Sequence, residues 1–599
     1  MNLISIITFL FITGLVAIVS YFRTRNEDLS HSDGYFLAGR NLPWFVIGGS
    51  LFLTNISAEQ ITGLNGNAFA DGASSMAWET LAVVALVLMA LYFLPRYLKS
   101  GITTVPQFFE YRFGRNMRTV ASFIFMYALI VAFLPFVLYA GAITLGQLFD
   151  VSTMLGVSEK QVLWILIIAL GAVGGAYALI GGLKAVAVSD TLNGMLLVIG
   201  GFAIPIMGLY RLGDNSIAEG WQILMENAPE RMQAAGGEGD EVPWHTLFTG
   251  ILLINIFYWC TNQAIVQRTF GARNLAEGQK GVLAAGVMKL AGVSMLVLPG
   301  IIAWHMHQRG MITVPVREVV ATGEVKEVQD FAYPLMVQYV LPHWMVGFFG
   351  AVMFGAVLSS FNSGLNSLCT IFSLDVYKHL IRKQATDSEI VVAGKIFGIA
   401  ILVVCVLIAP LIGRAEGLYT LMREVIAVVN VPILTVLLMG MFSRRAPALG
   451  AFIALPAGIL FYCYFNFIRG NDFFFFQVHW LHTVGLNFLF MWGIMLLVRY
   501  LKPMEIPFIQ KETRKVDLTG WKYVREASWG IIILLLMLYA VFSKIGILEA
   551  GDYALRNFIY ILIVSVVVFF IGIYFLRRTG KKFWKWEFAL NGAGSKSRE

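Results

Sequence analysis

Long apolar runs separated by short polar breaks dominate the chain from its first residues. A helix crossing a hydrocarbon core of ~30 Å needs about 20 apolar residues. Runs of that order stand at 3–22, 44–70, 76–95, 119–149, 160–180, 185–210, 243–267, 281–306, 333–366, 389–413, 417–442, 447–468, 473–498, 526–546 and 557–576. The pattern predicts an all-α polytopic membrane protein with about 15 transmembrane helices. The runs at 44–70, 119–149 and 333–366 exceed one straight crossing and are expected to tilt or break. The first run is followed, not preceded, by its charges Arg23 and Arg25, and no small-residue cleavage site ends it. It reads as a retained span rather than a signal peptide.

Polar residues inside these runs are more informative than the runs. The second run contains SLFLTNISAEQITGLNGNAFADG, where Asn55, Ser57, Glu59, Gln60, Gly63 and Gly66 interrupt a lipid-stable helix. Unwound backbone is tolerated in a membrane where it lines a cavity or is buried in protein. Five spans later, ILLINIFYWCTNQAIVQRT is again polar at its middle, with Asn255, Thr261, Asn262 and Gln263. Two interrupted spans at corresponding positions point to an inverted-repeat transporter with its site near the midplane. In VLSSFNSGLNS, one serine alone would bond back to its own helix. Ser359, Ser360, Asn362 and Ser363 together offer hard oxygen ligands suited to a small cation. Glu59, Glu79, Asp190, Lys289, Arg423 and Glu424 also fall at membrane depth. Any one of them reads equally as half of a structural ion pair. Six, with buried amides beside them, point to a polar cavity.

Charge then orients the chain. Net charge is +8 and only 13% of residues are charged, against about 25% in soluble domains. Lysines and arginines segregate into alternate loops, about 31 on one side and about 10 on the other. This predicts the N-terminus outside, the C-terminus in the cytoplasm, and a cell (inner) membrane location; it removes nucleic acid as a partner. The basic tail RRTGKKFWKWEF is expected on the anionic inner leaflet. Loops at 211–242, 307–332 and 499–525 leave room for lids or surface helices but not for a soluble domain. Cys260, Cys369, Cys405 and Cys463 all sit in apolar segments and read as small buried hydrophobes. An enzyme would need a nucleophile–base pair, a metal cluster or a phosphate loop. His305 and His307 face apart, His479 and His482 lack neighbouring carboxylates, and no glycine-rich phosphate loop occurs. A non-enzymatic transporter is the expectation. A channel would instead show repeated pore segments.

A series of motifs then carries a resemblance: YFLAGRNLPW at 35–44, NISAEQ at 55–60, IGGLKAVAVSD at 180–190, NQAIVQRT at 262–269, GQKG at 278–281 and SSFNSGLNS at 359–367. The chain resembles the solute:sodium symporter family, in particular its sodium/sugar branch, up to about residue 545. The resemblance implies a five-plus-five inverted repeat with broken first and sixth core helices. On that reading 1–43 is an extra helix and inner loop, 44–210 the first repeat and 211–242 an outer loop. The second repeat is 243–442, further helices fill 443–576, and 577–599 is a cytoplasmic tail. The implied partners are Na⁺ as coupling ion, a sugar-like solute and the bilayer, with no obligate protein partner. The main sodium site carries over onto Leu53, Ile56, Ala356, Ser359 and Ser360, and a second onto Asp190, Asn362 and Ser363. The sugar positions are Gln60, Glu79, Asn255 and Lys289. Tyr258 matches an inner gate; Leu64, Trp78 and Tyr419 match an outer apolar lid.

The departures from that branch matter. Arg423 replaces a glutamine, Phe133 an asparagine and Ala82 a serine, and Asn362 stands where a small hydroxyl is usual. Arg423 fits either a contact to an anionic group on an acidic or sulfated sugar or a salt bridge to Glu79 or Glu424.

Overall fold

The computed structural model describes residues 3–25, 31–318, 325–414, 418–473, 476–510, 512–513, 516–548 and 553–590. Within them the chain is helical apart from a small antiparallel ribbon, Val316–Glu318 against Val325–Glu327. Thirteen helices among the described residues are long and apolar enough to cross a membrane. Two of the sequence runs start instead as short helices, Trp44–Asn55 and Gly250–Cys260, because a backbone break ends each one. The 211–242 loop holds the helix Ile217–Asn227. The final helix, Tyr553–Leu590, continues into the basic tail and packs against Val524–Val541.

The first break has a defined geometry. Trp44–Asn55 stops, Ile56 takes φ −86°, ψ 89°, Ser57 takes φ −105°, ψ −179°, and Ala58–Asp71 resumes. The Ser57 N–H turns to the Asn55 carbonyl at 3.1 Å. In an unbroken helix that N–H would bond to Leu53, so the break frees the Leu53 carbonyl. The second break follows Cys260, and Asn262 caps the new helix Gln263–Phe270, its side chain accepting from the Ala264 N–H at 3.0 Å.

Two other distortions shape the bundle around these breaks. Glu159–Leu212 covers 54 residues, about 80 Å as one straight rod, which no bilayer accommodates. The stretch divides at Gly182, whose φ of 60° lies in the left-handed region that glycine enters without steric cost. Wider π-type turns at Met89–Phe93 and Ala128–Phe133 each run directly into a segment with proline at its start, Pro95 and Pro135. Proline removes one donor and crowds the preceding turn, and the helix widens there.

His343–Ile371, with its serine cluster, lies at the centre of the bundle, against Glu159–Leu212, Leu3–Thr24 and the first broken helix. The first helix meets it closely: a side chain at Gly347 would strike the Ser5 carbonyl at 2.1 Å, and the Ser5 hydroxyl donates to the His343 carbonyl at 2.6 Å.

Candidate functional site

The two breaks face one cavity of about 50 Å³, room for a few waters and not for a sugar ring. Asn55, Glu59 and Gln60 come from the first broken helix, and Phe257, Tyr258 and Asn262 from the second. Phe125, Ala128, Leu129 and Phe133 line it from the π-turned span, and Met422, Arg423, Ile426 and Asn430 from Leu418–Phe442. One wall is amide and charge; the other is aromatic and aliphatic. A larger cavity of about 410 Å³, bordered by Thr62, Tyr139, Thr144 and Gln147, also reaches Glu59.

Behind the polar wall runs a continuous chain of contacts. Lys289 donates to both the Asn55 amide oxygen and Glu79. Gln60 donates to the other oxygen of Glu79. Arg423 Nη2 donates to Gln60 Oε1 at 3.0 Å, and its guanidinium lies 5.1 Å from the Trp78 ring centre. Lys289 and Glu79 are essentially sealed, at 0% and 1% exposed. Burying two such charges is tolerable only when they are paired and their remaining hydrogen-bonding capacity is used. In this conformation the side chains satisfy one another. Hydroxyls of a ligand could take over several of these bonds without leaving a charge unpaired.

The structure distributes the sequence-predicted residues unevenly. Gln60, Arg423 and Tyr258 line the cavity. Glu79 and Lys289 stand one contact behind it, through Gln60 and Asn55. Asn255 donates to its own helix at the Ile251 carbonyl, 3.1 Å away, and is not among the lining residues. Of the expected lid, Trp78 stacks on Trp480 with ring centres 6.3 Å apart, and Leu64 is fully buried away from the cavity lining. Tyr419 lies in the first turn of Leu418–Phe442, where its side chain is outside the described residues. Arg423 meets Gln60 and Trp78 as described, and Glu424 instead accepts from Asn466 at 3.4 Å.

The expected cation position falls where the first break meets the serine helix. Ser359 and Ser360 stand one turn beyond Ala356 on His343–Ile371. Ser360 Oγ donates to the Thr54 carbonyl at 2.9 Å, which draws the serine helix onto the end of the first half-helix. The buried Ser359 hydroxyl has no hydrogen-bond partner. Freed carbonyls at a helix C-terminus carry partial negative charge, and two hydroxyls opposite them make an oxygen set that fits Na⁺. Ile56 sits within the break itself.

Next to it lies a second charged cluster. Asp190 Oδ2 accepts from Ser50 at 2.9 Å, from Thr54 at 3.3 Å and from Arg268 at 3.4 Å. Arg268 also donates to Ser50 at 2.6 Å and to Ser363. Asp190 and Ser363 are therefore brought together, but around the Arg268 guanidinium. Asn362 Oδ1 is buried without a partner and faces Gly174, whose added side chain would lie 3.2 Å from it. Arg268 reads as an inner-loop charge in the sequence, yet it is 1% exposed. Its place within the polar stretch that contains the second break was the only available signal. Asn430 and Glu59 also line the cavity: the sequence marks Glu59 only as an intramembrane charge, and Asn430 is a lone amide in an apolar run.

The sodium:solute symporter family model matches residues 35–458, and the chain belongs to that family. It is a multi-pass secondary transporter that uses Na⁺ as coupling ion. It is 43% identical over 557 residues to an uncharacterised symporter, YidK, of Escherichia coli (strain K12), covering 93% of each chain. It is 29% identical over 542 residues to the sodium/glucose cotransporter of Vibrio parahaemolyticus, covering 87% of this chain and 94% of that one. Its fold matches the outward-open, substrate-bound structure of a Na⁺-coupled sialic acid symporter with a TM-score of 0.69, at 19% identity, over 85% of this chain and 100% of that one.

Proposed function

We propose that this chain imports a neutral, polyhydroxylated solute of the sugar type together with one Na⁺ per cycle. Charge balance at the cavity supports the neutral solute. Glu59 and Arg423 line it, and Glu79 and Lys289 stand directly behind. Two carboxylates and two cations leave no net charge for an anionic ligand to neutralise. The amide-rich wall and the aromatic wall suit the hydroxyl edge and C–H face of a sugar ring. An acidic or sulfated sugar would need Arg423 for itself, whereas Arg423 already bonds to Gln60 and covers Trp78.

One sodium follows from the second cluster. Arg268 already supplies the positive charge beside Asp190 and Ser363, so a cation is required only at Leu53, Ile56, Ala356, Ser359 and Ser360. The scaffold is a five-plus-five inverted repeat at 44–210 and 243–442, with the N-terminus outside. The cavity of about 410 Å³ is then the outer vestibule, and Glu59 forms its floor. Sodium holds the first break against the serine helix in the arrangement that completes the sugar site. Each ligand therefore tightens the other. The test is uptake into proteoliposomes under an inward Na⁺ gradient, with neutral hexoses and cyclitols beside uronic and sulfated sugars. Sodium-driven uptake of a neutral member supports the reading; uptake confined to acidic members overturns it.

A further inference from the structure

Beyond its serines, the central helix continues as the π-turned segment Phe372–Ile381. This end borders a cleft of about 580 Å³, formed with the turn at Gly101–Thr103, the helix Val105–Phe113 and the start of Arg115–Tyr127. The cleft shares no lining residue with the cavity above. Four cations face it, Arg115, Arg118, Lys378 and Lys383, against the single carboxylate of Glu110.

Their partners are unequally shared. Arg118 takes both nearby acids, donating from Nε to Asp375 at 2.7 Å and from Nη1 to Glu110 at 2.5 Å. Arg115 donates to the His379 ring at 3.2 Å and to the His379 carbonyl at 2.8 Å, so no carboxylate offsets its charge. Lys378 and Lys383 make no hydrogen bond or ion pair among the described residues. Three positive charges thus converge on a concave space with Gln107 and Thr103 as neutral polar neighbours. Like charges held together in this way repel unless an anion joins them.

We propose that this cleft binds a phosphate monoester. Such a group carries about −1.5 to −2 charge at neutral pH and three strong acceptor oxygens, matching Arg115, Lys378 and Lys383. A bound ester joins the end of the serine helix, which supplies Lys378 with Lys383 in the turn just after it, to the Arg115 helix. Ser359 and Ser360 lie upstream on that same helix, so occupancy restrains the element that must release Na⁺ and slows transport. This effect on transport rests on the function proposed above; the binding does not. Two sources present the chemistry on the cytoplasmic side: a soluble sugar phosphate, made by any kinase that consumes the imported solute, and a phosphatidic acid headgroup.

The full-length protein in detergent is titrated with glucose 6-phosphate and inorganic phosphate, with glucose as control, and thermal stability is read. A saturable rise in Tm with the phosphates, inorganic phosphate included, beyond any that glucose gives at the sugar site, is expected from the cleft. Lys378→Gln and Lys383→Gln each weaken the apparent affinity by about tenfold, as loss of one charged hydrogen bond does. Both side chains are exposed, so neither change threatens folding; Lys502→Gln, at another exposed inner-loop lysine, leaves the titration unchanged. No rise with either phosphate, or an identical rise in the Lys378→Gln/Lys383→Gln double variant, overturns the proposal. Vesicles of phosphatidylcholine with and without phosphatidic acid then separate the sources. Loss of the glucose 6-phosphate response when phosphatidic acid is present assigns the headgroup as a competing occupant, and a retained response assigns the soluble ester.

Discussion

The first broken helix divides two buried ion pairs of the same chemistry and different settings. On one side, Glu79 and Lys289 connect through Gln60 and Asn55 to the cavity. On the other, Asp190 and Arg268 are closed in by Ser50, Thr54 and Ser363. The first pair shares its hydrogen bonds with amides that also line the cavity, so a ligand can exchange with them. The second is surrounded by protein hydroxyls and the Ala264 carbonyl, and none of these residues lines the cavity. On the function proposed above, the first pair serves as a substrate relay and the second as an internal lock, the difference lying in what surrounds each.

The largest effect is expected in the lock. Asp190→Asn leaves Arg268 uncompensated, a change that costs about 3–5 kcal/mol when one partner of a buried pair is removed. The variant should yield little folded protein and a strongly lowered Tm by scanning fluorimetry. A stable Asp190→Asn protein that merely needs more Na⁺ would make the cluster a cation site instead.

The relay should behave differently. Glu79→Gln with Lys289→Met removes both charges together, so folding survives while substrate binding is lost. Isothermal titration with a transported sugar checks this; retained binding would detach the pair from the site. Next in size is Ser360→Ala. Losing one hydroxyl ligand should raise the Na⁺ concentration for half-maximal uptake by about tenfold or more, with the fold intact. An unchanged sodium dependence would remove the support for that position.

How much of this was legible beforehand depended on the residue. Gln60 and Arg423 stood out because amides and cations are conspicuous in apolar runs, Tyr258 was reached only through the family resemblance, and the structure puts all three on the cavity. The run lengths likewise anticipated a polytopic helical protein, since hydrocarbon thickness leaves few alternatives. Pairing was not legible. Nothing in the sequence ties Asp190 to Arg268, 78 residues apart, or shows that Asn255 spends its donor on Ile251 one turn back. Those contacts depend on how helices rotate against one another, which run length and polarity do not specify. Asn430 was invisible for a related reason: a lone amide in an apolar run most often bonds back to its own helix.

The smallest effect belongs to Arg423. Because it is held by Gln60 and Trp78, Arg423→Gln should weaken neutral and acidic sugars to a similar extent, by about one neutral hydrogen bond, roughly 1 kcal/mol. Competition uptake with paired neutral and uronic sugars reads the difference. A selective loss of the acidic sugar would return Arg423 to the role of an anion reader.

Charge moved per solute tests the account most directly, because it depends on the relay being neutral overall and on the lock excluding a second Na⁺. Reversal potentials of solute flux in proteoliposomes, set with defined K⁺ and Na⁺ gradients, give that ratio. A neutral solute carried with one Na⁺ moves one positive charge per molecule. A ratio of two would place a second sodium beside Asp190 in spite of Arg268, and a ratio of zero would mean that the solute itself is an anion.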